Sequence, residues 1–319
     1  MQSKSPFIEA KELVVRFPIK MGRKKGYITP VDGVSFEVAV GEVLSLVGES
    51  GSGKSTLGRT LVRFNEPAGG TLEVAGKDIT HLRGNRELRE LRRQVQMVFQ
   101  DPFGSLNPVK SVGQHLRALV RKHQHLTGRL LEERCIQLLE TVGLSPGAEM
   151  MVKYPHEMSG GQRQRVAIAR ALAVNPRFIV ADEPISMLDV SIRADILKLL
   201  NQLKGELGLG YLYITHDLAS AKYFGDRIMV LYGGQIMERA GSAQIIETPR
   251  HPYTQLLLAS SAGSGQKLGE TSIEPPDLFE GRMGCPFANR CPLVSSVCRT
   301  ERPPLVALDP GHEVACHHA

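Results

Sequence analysis

A chain of 319 residues with 42% apolar content can bury one full α/β core and leave material for a smaller appendage. No apolar run reaches the length that crosses a bilayer, and the opening MQSKSPFIEA lacks the charged-then-apolar pattern of a secretory signal, so a soluble, intracellular protein is expected. The net charge of +6, from 39 Lys and Arg against 33 Asp and Glu, suits a surface near anionic lipid or acidic partners without requiring either.

Residues 7–17 and 34–38 have the alternation and β-branching of short strands. The basic insert between them, KMGRKKGY, is expected as a solvated loop. It lacks the interleaved aromatics that stack on bases, so no nucleic-acid partner is expected. Tyr27 has two readings, stacking on a purine or packing against its own loop.

The apolar run Val43, Leu44, Leu46, Val47 leads into Gly48–Ser55, GESGSGKS, and a helix-forming run follows from Thr56 to Val62. Strand, glycine-rich loop and helix in this order suit a phosphate: Gly48, Gly51 and Gly53 let backbone N–H groups converge at the helix start. Lys54 supplies a charge for the β and γ phosphates, and Ser55 a hydroxyl for nucleotide-bound Mg²⁺. A nucleoside triphosphate site is expected, against the plainer reading of a glycine-rich turn.

Next come a strand at Thr71–Val74 with a Gly76-Lys77 turn, the charged surface helix RELRELRRQ, and VQMVFQ as a strand ending at Gln100. The prolines and glycine of DPFGSLNP argue against a helix there. From Val112 to about Leu144 the pattern is helical, with Leu131, Cys135, Leu138, Leu139 and Val142 on one face, which makes Cys135 a core residue. Phe178–Ala181 reads as a strand buried on both faces and ends at Asp182-Glu183. A helix carrying Ile192, Ile196, Leu199, Leu200 and Leu203 follows, then the strand YLYIT, which ends at His216.

Four strand ends, at Gly48, Gln100, Asp182-Glu183 and His216, then fall on the carboxyl edge of a mostly parallel sheet, where such folds assemble a ligand site. Asp182 suits a metal through water, Glu183 can act as general base, His216 can donate to a γ-phosphate, and Gln100 can touch metal and water. Singly, each reads as a solvated strand-end side chain. In MSGGQRQRVAIARAL, residues 158–172, Ser159, Gly160 and Gly161 make a second phosphate-accepting helix start. It binds either the same nucleotide or that of a partner chain.

The run Ser159, Gly160, Gly161, Gln162, placed after the 48–55 loop and before VADEP, with SMLD at 186–189 and His216, resembles the ATPase subunits of ABC transporters over about residues 8–240. The resemblance implies an α/β P-loop NTPase: an ABC-type core with a mostly parallel sheet, an antiparallel β part and a helical subdomain at about 101–172. These lie within residues 1–257, and 258–319 form a linker and small Cys-rich extension. It also implies a head-to-tail dimer in which Ser159 and Gly161 cap the partner's ATP, which selects the composite site.

On this resemblance the nucleotide contacts are Tyr27, Gly48, Ser50, Gly51, Ser52, Gly53, Lys54, Ser55, Thr56, Gln100 and Asp182, with Ser159, Gly160, Gly161, Gln162 and Asp189 at the dimer seam. Catalysis falls to Glu183, His216, Gln100 and Lys54, and Mg²⁺ to Ser55, Gln100 and Asp182. The segment from Gln100 to Pro108 would meet a coupling helix of a membrane subunit. Met158 and Met187 stand where the family usually has Leu and Ala.

HPYT at 251–254 and the terminal cysteines are similar to the oligopeptide and dipeptide importer branch, and the insert before Tyr27 resembles the second of that branch's two ATPase subunits. The partners implied are a second, different ATPase, two permeases and an external substrate-binding protein, with the chain peripheral at the cytoplasmic face of the inner membrane. Relatives in the branch also move oligosaccharides or nickel. A soluble ABC ATPase of DNA repair or translation would carry a coiled-coil insert or a second ATPase unit, and neither is present. A non-hydrolytic clamp would not need Glu183.

Cys285, Cys291, Cys298 and Cys316, spaced C-x5-C-x6-C-x17-C, lack the C-x2-C spacing of common zinc ribbons. Four thiolates suit a [4Fe-4S] cluster or Zn²⁺, with unligated thiols as the third reading, and the resemblance favours the cluster. His317 and His318 are read as terminal and exposed.

Overall fold

The computed structural model describes residues 6–21, 24–261, 278–279, 281 and 283–319. Its strands in chain order are β1 (Pro6–Met21), β2 (Lys24–Ala39), β3 (Val43–Val47), β4 (Gly69–Val74), β5 (Lys77–Asp78) and β6 (Val95–Val98). They continue with β7 (Phe178–Asp182), β8 (Gly210–Thr215), β9 (Arg227–Tyr232), β10 (Gln235–Gly241), β11 (Val306–Asp309) and β12 (His312–Val314). Two compact units result: Met1–Leu82 with Leu212–Ala319, and Arg83–Tyr211.

In the first unit β1 and β2 form a long antiparallel hairpin with β4 and β5 beside it, in the order β2-β1-β4-β5. The alternation in β2 is the reason: Val34, Phe36 and Val38 turn inward while Glu37 stays exposed. The hairpin runs further than the sequence suggests. Phe17 pairs with Ile28, Pro18 with Tyr27 and Lys20 with Lys25, so the insert expected as a loop is strand; residues 22–23 lie outside the described residues. Backbone pairing extends an established register without needing apolar side chains.

The second sheet of this unit runs β11-β12-β10-β9-β3-β8. β3 pairs parallel with β9, and every residue of β3 and β8 is buried, as strands covered on both faces require. β9 turns antiparallel into β10 through Gly233 and Gly234, at φ 54 and 81, a two-residue turn that glycine allows. β12 pairs with β10, so the C-terminal segment joins this sheet. Phe287, 1% exposed, packs with Val47, Tyr232 and Tyr253 in one core cluster. The expected linker, 258 to about 281, falls mostly outside the described residues.

In the second unit β6 and β7 pair parallel, from Val95↔Phe178 to Val98↔Ala181. Here the expected helical stretch is two helices, Val112–Gln124 and Gly128–Thr141, broken at His125, which takes a left-handed φ of 57. Its predicted inward face is buried, Cys135 included. Two expectations are corrected. The strand before Gln100 ends at Val98, and Pro102–Ser105 is a helical turn, because proline at a first helical position gives up an N–H that has no partner there anyway.

Candidate nucleotide-binding site

In the first unit β3 delivers the chain into the glycine loop, and the backbone explains the glycines. A Cβ on Gly48 would stand 2.2 Å from the Leu231 carbonyl oxygen, and one on Gly53, at φ 105, would stand 1.8 Å from the Pro30 carbonyl oxygen. Gly51 has open space, and only its φ of 80 calls for glycine. The helix Lys54–Leu61 starts from Gly53 without a side-chain cap. Its first N–H groups and dipole therefore point into the loop as an anion acceptor.

Lys54 is 4% exposed. Its Nζ donates to the Gly48 and Glu49 carbonyls, both at 2.7 Å, and lies 3.5 Å from Ser52 Oγ. Ser52 is buried, Ser50 and Gly51 are exposed at the rim, and Ser55 and Thr56 are half-buried at the helix start. That grouping is a cradle of N–H donors around one ammonium, which suits a polyphosphate.

Two groups on this loop were not foreseen. Tyr253 Oη accepts the Glu49 N–H at 2.8 Å, and Arg290 grips the Glu49 carboxylate at 2.6 and 3.0 Å. The HPYT motif was a signal for the first. Nothing in the sequence flagged Arg290, which lies 241 positions from Glu49. His216 follows β8, exposed, ahead of Asp217, whose carboxylate caps the helix Leu218–Phe224. Tyr27 is 41% exposed, with the Arg16 guanidinium 5.1 Å from its ring centroid, a cation–π contact within its own hairpin.

In the second unit β7 ends at Asp182, 2% exposed, followed by Glu183 in the left-handed region at φ 46. A non-glycine residue there costs on the order of 1 kcal/mol, a strain that concentrates at functional positions. The Glu183 carbonyl accepts from the Ser186 N–H and hydroxyl, which hold the turn. Gln100 Nε2 donates to Glu183 Oε2 at 3.2 Å, so the structure brings these two predicted residues together.

The second helix start forms as expected. Ser159 caps the helix Gly160–Leu172 with Gln162 in a reciprocal capping box, and Ser159 is exposed. A Cβ on Gly161 would stand 2.6 Å from Ile192 Cγ2, so close packing on the helix Val190–Leu207 also demands glycine there. Asp189 is the exposed N-cap residue of that helix.

Cys285, Cys291, Cys298 and Cys316, all free thiols, line one small cavity with His251 and His318. Burial pushes the Cys285 thiol up to about 11. Four soft donors facing one cavity fit a thiophilic metal in chemistry. As the side chains stand, no group of three His, Cys, Asp or Glu among the described residues is arranged to hold a metal ion. His318 Nε2 lies 3.5 Å from Cys298 Sγ, and His317 Nε2 lies 3.0 Å from the Glu301 carbonyl oxygen. No helix among the described residues is long and apolar enough to cross a membrane.

A buried strand, phosphate loop and helix in the first unit, and in the second an acidic pair at the end of a parallel strand and a glycine-led helix start, define a P-loop ATPase of the ABC class. The ABC transporter family profile matches residues 31–186, and the profile for the oligopeptide/dipeptide transporter C-terminal region matches residues 237–298. The dimeric post-hydrolysis structure of the ATP-binding cassette MJ0796, bound to ADP and Pi, superposes with a TM-score of 0.64 at 30% identity, covering 74% of this chain and 98% of that one. The oligopeptide transport ATP-binding protein AppF of Bacillus subtilis is 42% identical over 320 residues, 97% of this chain and 96% of its own length. The dipeptide transport ATP-binding protein DppF of Haemophilus influenzae is 40% identical over 325 residues, 100% of this chain and 98% of its own length. The chain belongs to the ATP-binding subunit family of oligopeptide and dipeptide ABC transporters.

Proposed function

We propose that this chain binds and hydrolyses ATP to energise an importer of oligopeptides or dipeptides. The observation that carries the reading is the 48–55 loop, where Gly48 and Gly53 leave no room for a Cβ and the Lys54 ammonium sits buried at an uncapped helix start. In this reading the loop, from Gly48 through Thr56, holds the phosphates, and Tyr27 stacks on the adenine. Mg²⁺ would be held by Ser55, Gln100 and Asp182, and would offset phosphate charge. Glu183 takes the proton of the attacking water as its oxygen bonds to the γ-phosphorus and the bond to ADP breaks. Gln100, which donates to Glu183, orients that carboxylate, and His216 donates to the γ-phosphate.

Ser159, Gly160, Gly161 and Gln162 then cap ATP bound to a second, different ATPase subunit, with Asp189 at the seam. Two permease subunits receive the dimer at the cytoplasmic face of the inner membrane, and an external binding protein supplies the cargo. Residues 1–257 act as the nucleotide-binding domain and 258–319 as its extension, where the four cysteines hold a [4Fe-4S] cluster or Zn²⁺. The cavity they share supports that assignment.

Glu183→Gln is expected to retain ATP, trap the dimer and lower turnover by at least about a hundredfold; normal hydrolysis by that variant would remove Glu183 from the mechanism. Purification from native membranes in mild detergent should bring two permeases, a second ATPase and a peptide-loaded binding protein. A sugar or nickel in that protein would change the cargo, and the absence of any membrane subunit would sink the transport reading. Neither iron nor zinc in an oxygen-protected sample would refute the ligated cysteines.

A further inference from the structure

The loop residue Glu49 is held at every polar group by a different part of the first unit. Its N–H donates to Tyr253 Oη at 2.8 Å. Its carbonyl accepts Lys54 Nζ at 2.7 Å and the Ser52 N–H at 3.2 Å. Its carboxylate takes both terminal nitrogens of Arg290, at 2.6 and 3.0 Å. A two-pronged guanidinium–carboxylate pair fixes orientation as well as distance, unlike a single ion pair.

Arg290 is itself immobilised. It lies over the rings of Tyr232 and Phe287, 5.7 and 5.8 Å from their centroids, and its side chain is 13% exposed. Tyr232, Tyr253 and Phe287 pack edge-on or tilted against one another and are at most 2% exposed. With the Glu49 side chain 33% exposed, the pair is partly shielded, and solvent weakens it less than it would a fully exposed pair. Phe287 and Arg290 both lie between Cys285 and Cys291, so the cysteine-bearing segment presents this grip.

We propose that Arg290 and Tyr253 are positioning residues for the phosphate loop: they clamp Glu49, whose carbonyl seats Lys54, and thereby set the loop's affinity for a triphosphate. The proposal rests on the reading that the 48–55 loop binds ATP. Releasing the clamp lets Glu49 turn, and the Lys54 ammonium loses one of its carbonyl seats. The triphosphate must then reorder the loop as it binds, and that cost falls on affinity rather than on the chemical step.

The test uses the full chain, with its partner ATPase present for the hydrolysis assays, and compares the parent with Arg290→Gln, Arg290→Lys, Glu49→Gln and the double variant Glu49→Gln/Arg290→Gln. Titration with ATP gives Kd, steady-state hydrolysis gives KM and kcat, and nucleotide-free thermal unfolding reports folding. Arg290→Gln and Glu49→Gln should each raise Kd and KM about tenfold, with kcat within about twofold of the parent. Arg290→Lys should recover only part of the affinity, since an ammonium cannot form the fork. The double variant should be no worse than either single one, as partners in one contact are non-additive. Should Arg290→Gln fail to fold, Glu49→Gln, which leaves the aromatic support intact, decides the matter. Parent-like Kd in the folded variants, or additive losses in the double one, overturns the clamp while the ATP reading stands. A parent that binds no ATP overturns the reading beneath it, and the clamp with it.

Discussion

At single residues, backbone geometry decides more than side-chain chemistry. Gly53 combines a φ of 105 with a carbonyl where its Cβ would be. Gly53→Ala should therefore displace the loop and weaken ATP binding by more than about tenfold, measured by nucleotide titration. Cys135 shows the opposite case, a residue whose reactivity is removed by its surroundings. It is fully buried, and desolvation pushes its thiol up to about 11. At pH 8 only about one such thiol in a thousand is ionised, so alkylation of the native protein should spare Cys135. Labelling there before unfolding would contradict its placement. Cys135 was legible in the sequence because helical spacing put it among leucines.

At the scale of elements, two capping boxes of the same chemistry separate stability from function. Ser111 and Gln114 cap the helix Val112–Gln124 just as Ser159 and Gln162 cap Gly160–Leu172. Ser111→Ala and Ser159→Ala should each cost about 1 kcal/mol of stability. Only the second should also lower ATP hydrolysis, because its hydroxyl is assigned to the partner's nucleotide; equal activity in the two variants would argue against that role. The helix pattern and the glycines after Ser159 were readable from composition and spacing alone. That Gly161 is also required by Ile192 was not, since the contact lies between two helices separated in the chain.

For the molecule as a whole, the decisive feature is how its last strands are tied in. β12 pairs with β10, and His312 on β12 meets Glu238 on β10 at 2.6 Å, both fully buried. Glu238 also accepts the backbone N–H groups of Arg250 and His251, so one carboxylate fastens the HPYT segment and the chain's final hairpin. Removing Glu238 leaves the His312 ring and the Arg250 and His251 N–H groups without this partner, at about 1–3 kcal/mol for each buried group left unsatisfied, so Glu238→Ala should cost about 3 kcal/mol or more. Thermal unfolding would show it, and an unchanged transition would mean the tail holds without this link. The motif VALDPGHEV, a run around a proline-glycine turn, carries a usable signal for that hairpin.

What the sequence determined by itself was the local chemistry: the glycine loop with Lys54 and Ser55, the acidic pair at 182–183, the helix start at Ser159, and the buried faces of strands and helices. These are legible because each depends on short spacing, a period of two or about 3.6, or glycine's freedom at one position. Only the tertiary structure decided the left-handed turn at Glu183, the extension of the first hairpin through a basic insert, and the return of the C-terminal segment onto β10. It alone brought Arg290 to Glu49. That contact joins residues 241 positions apart, and no periodicity carries information across such a distance. It follows instead from packing, where a buried polar group must find its partner wherever the fold provides one.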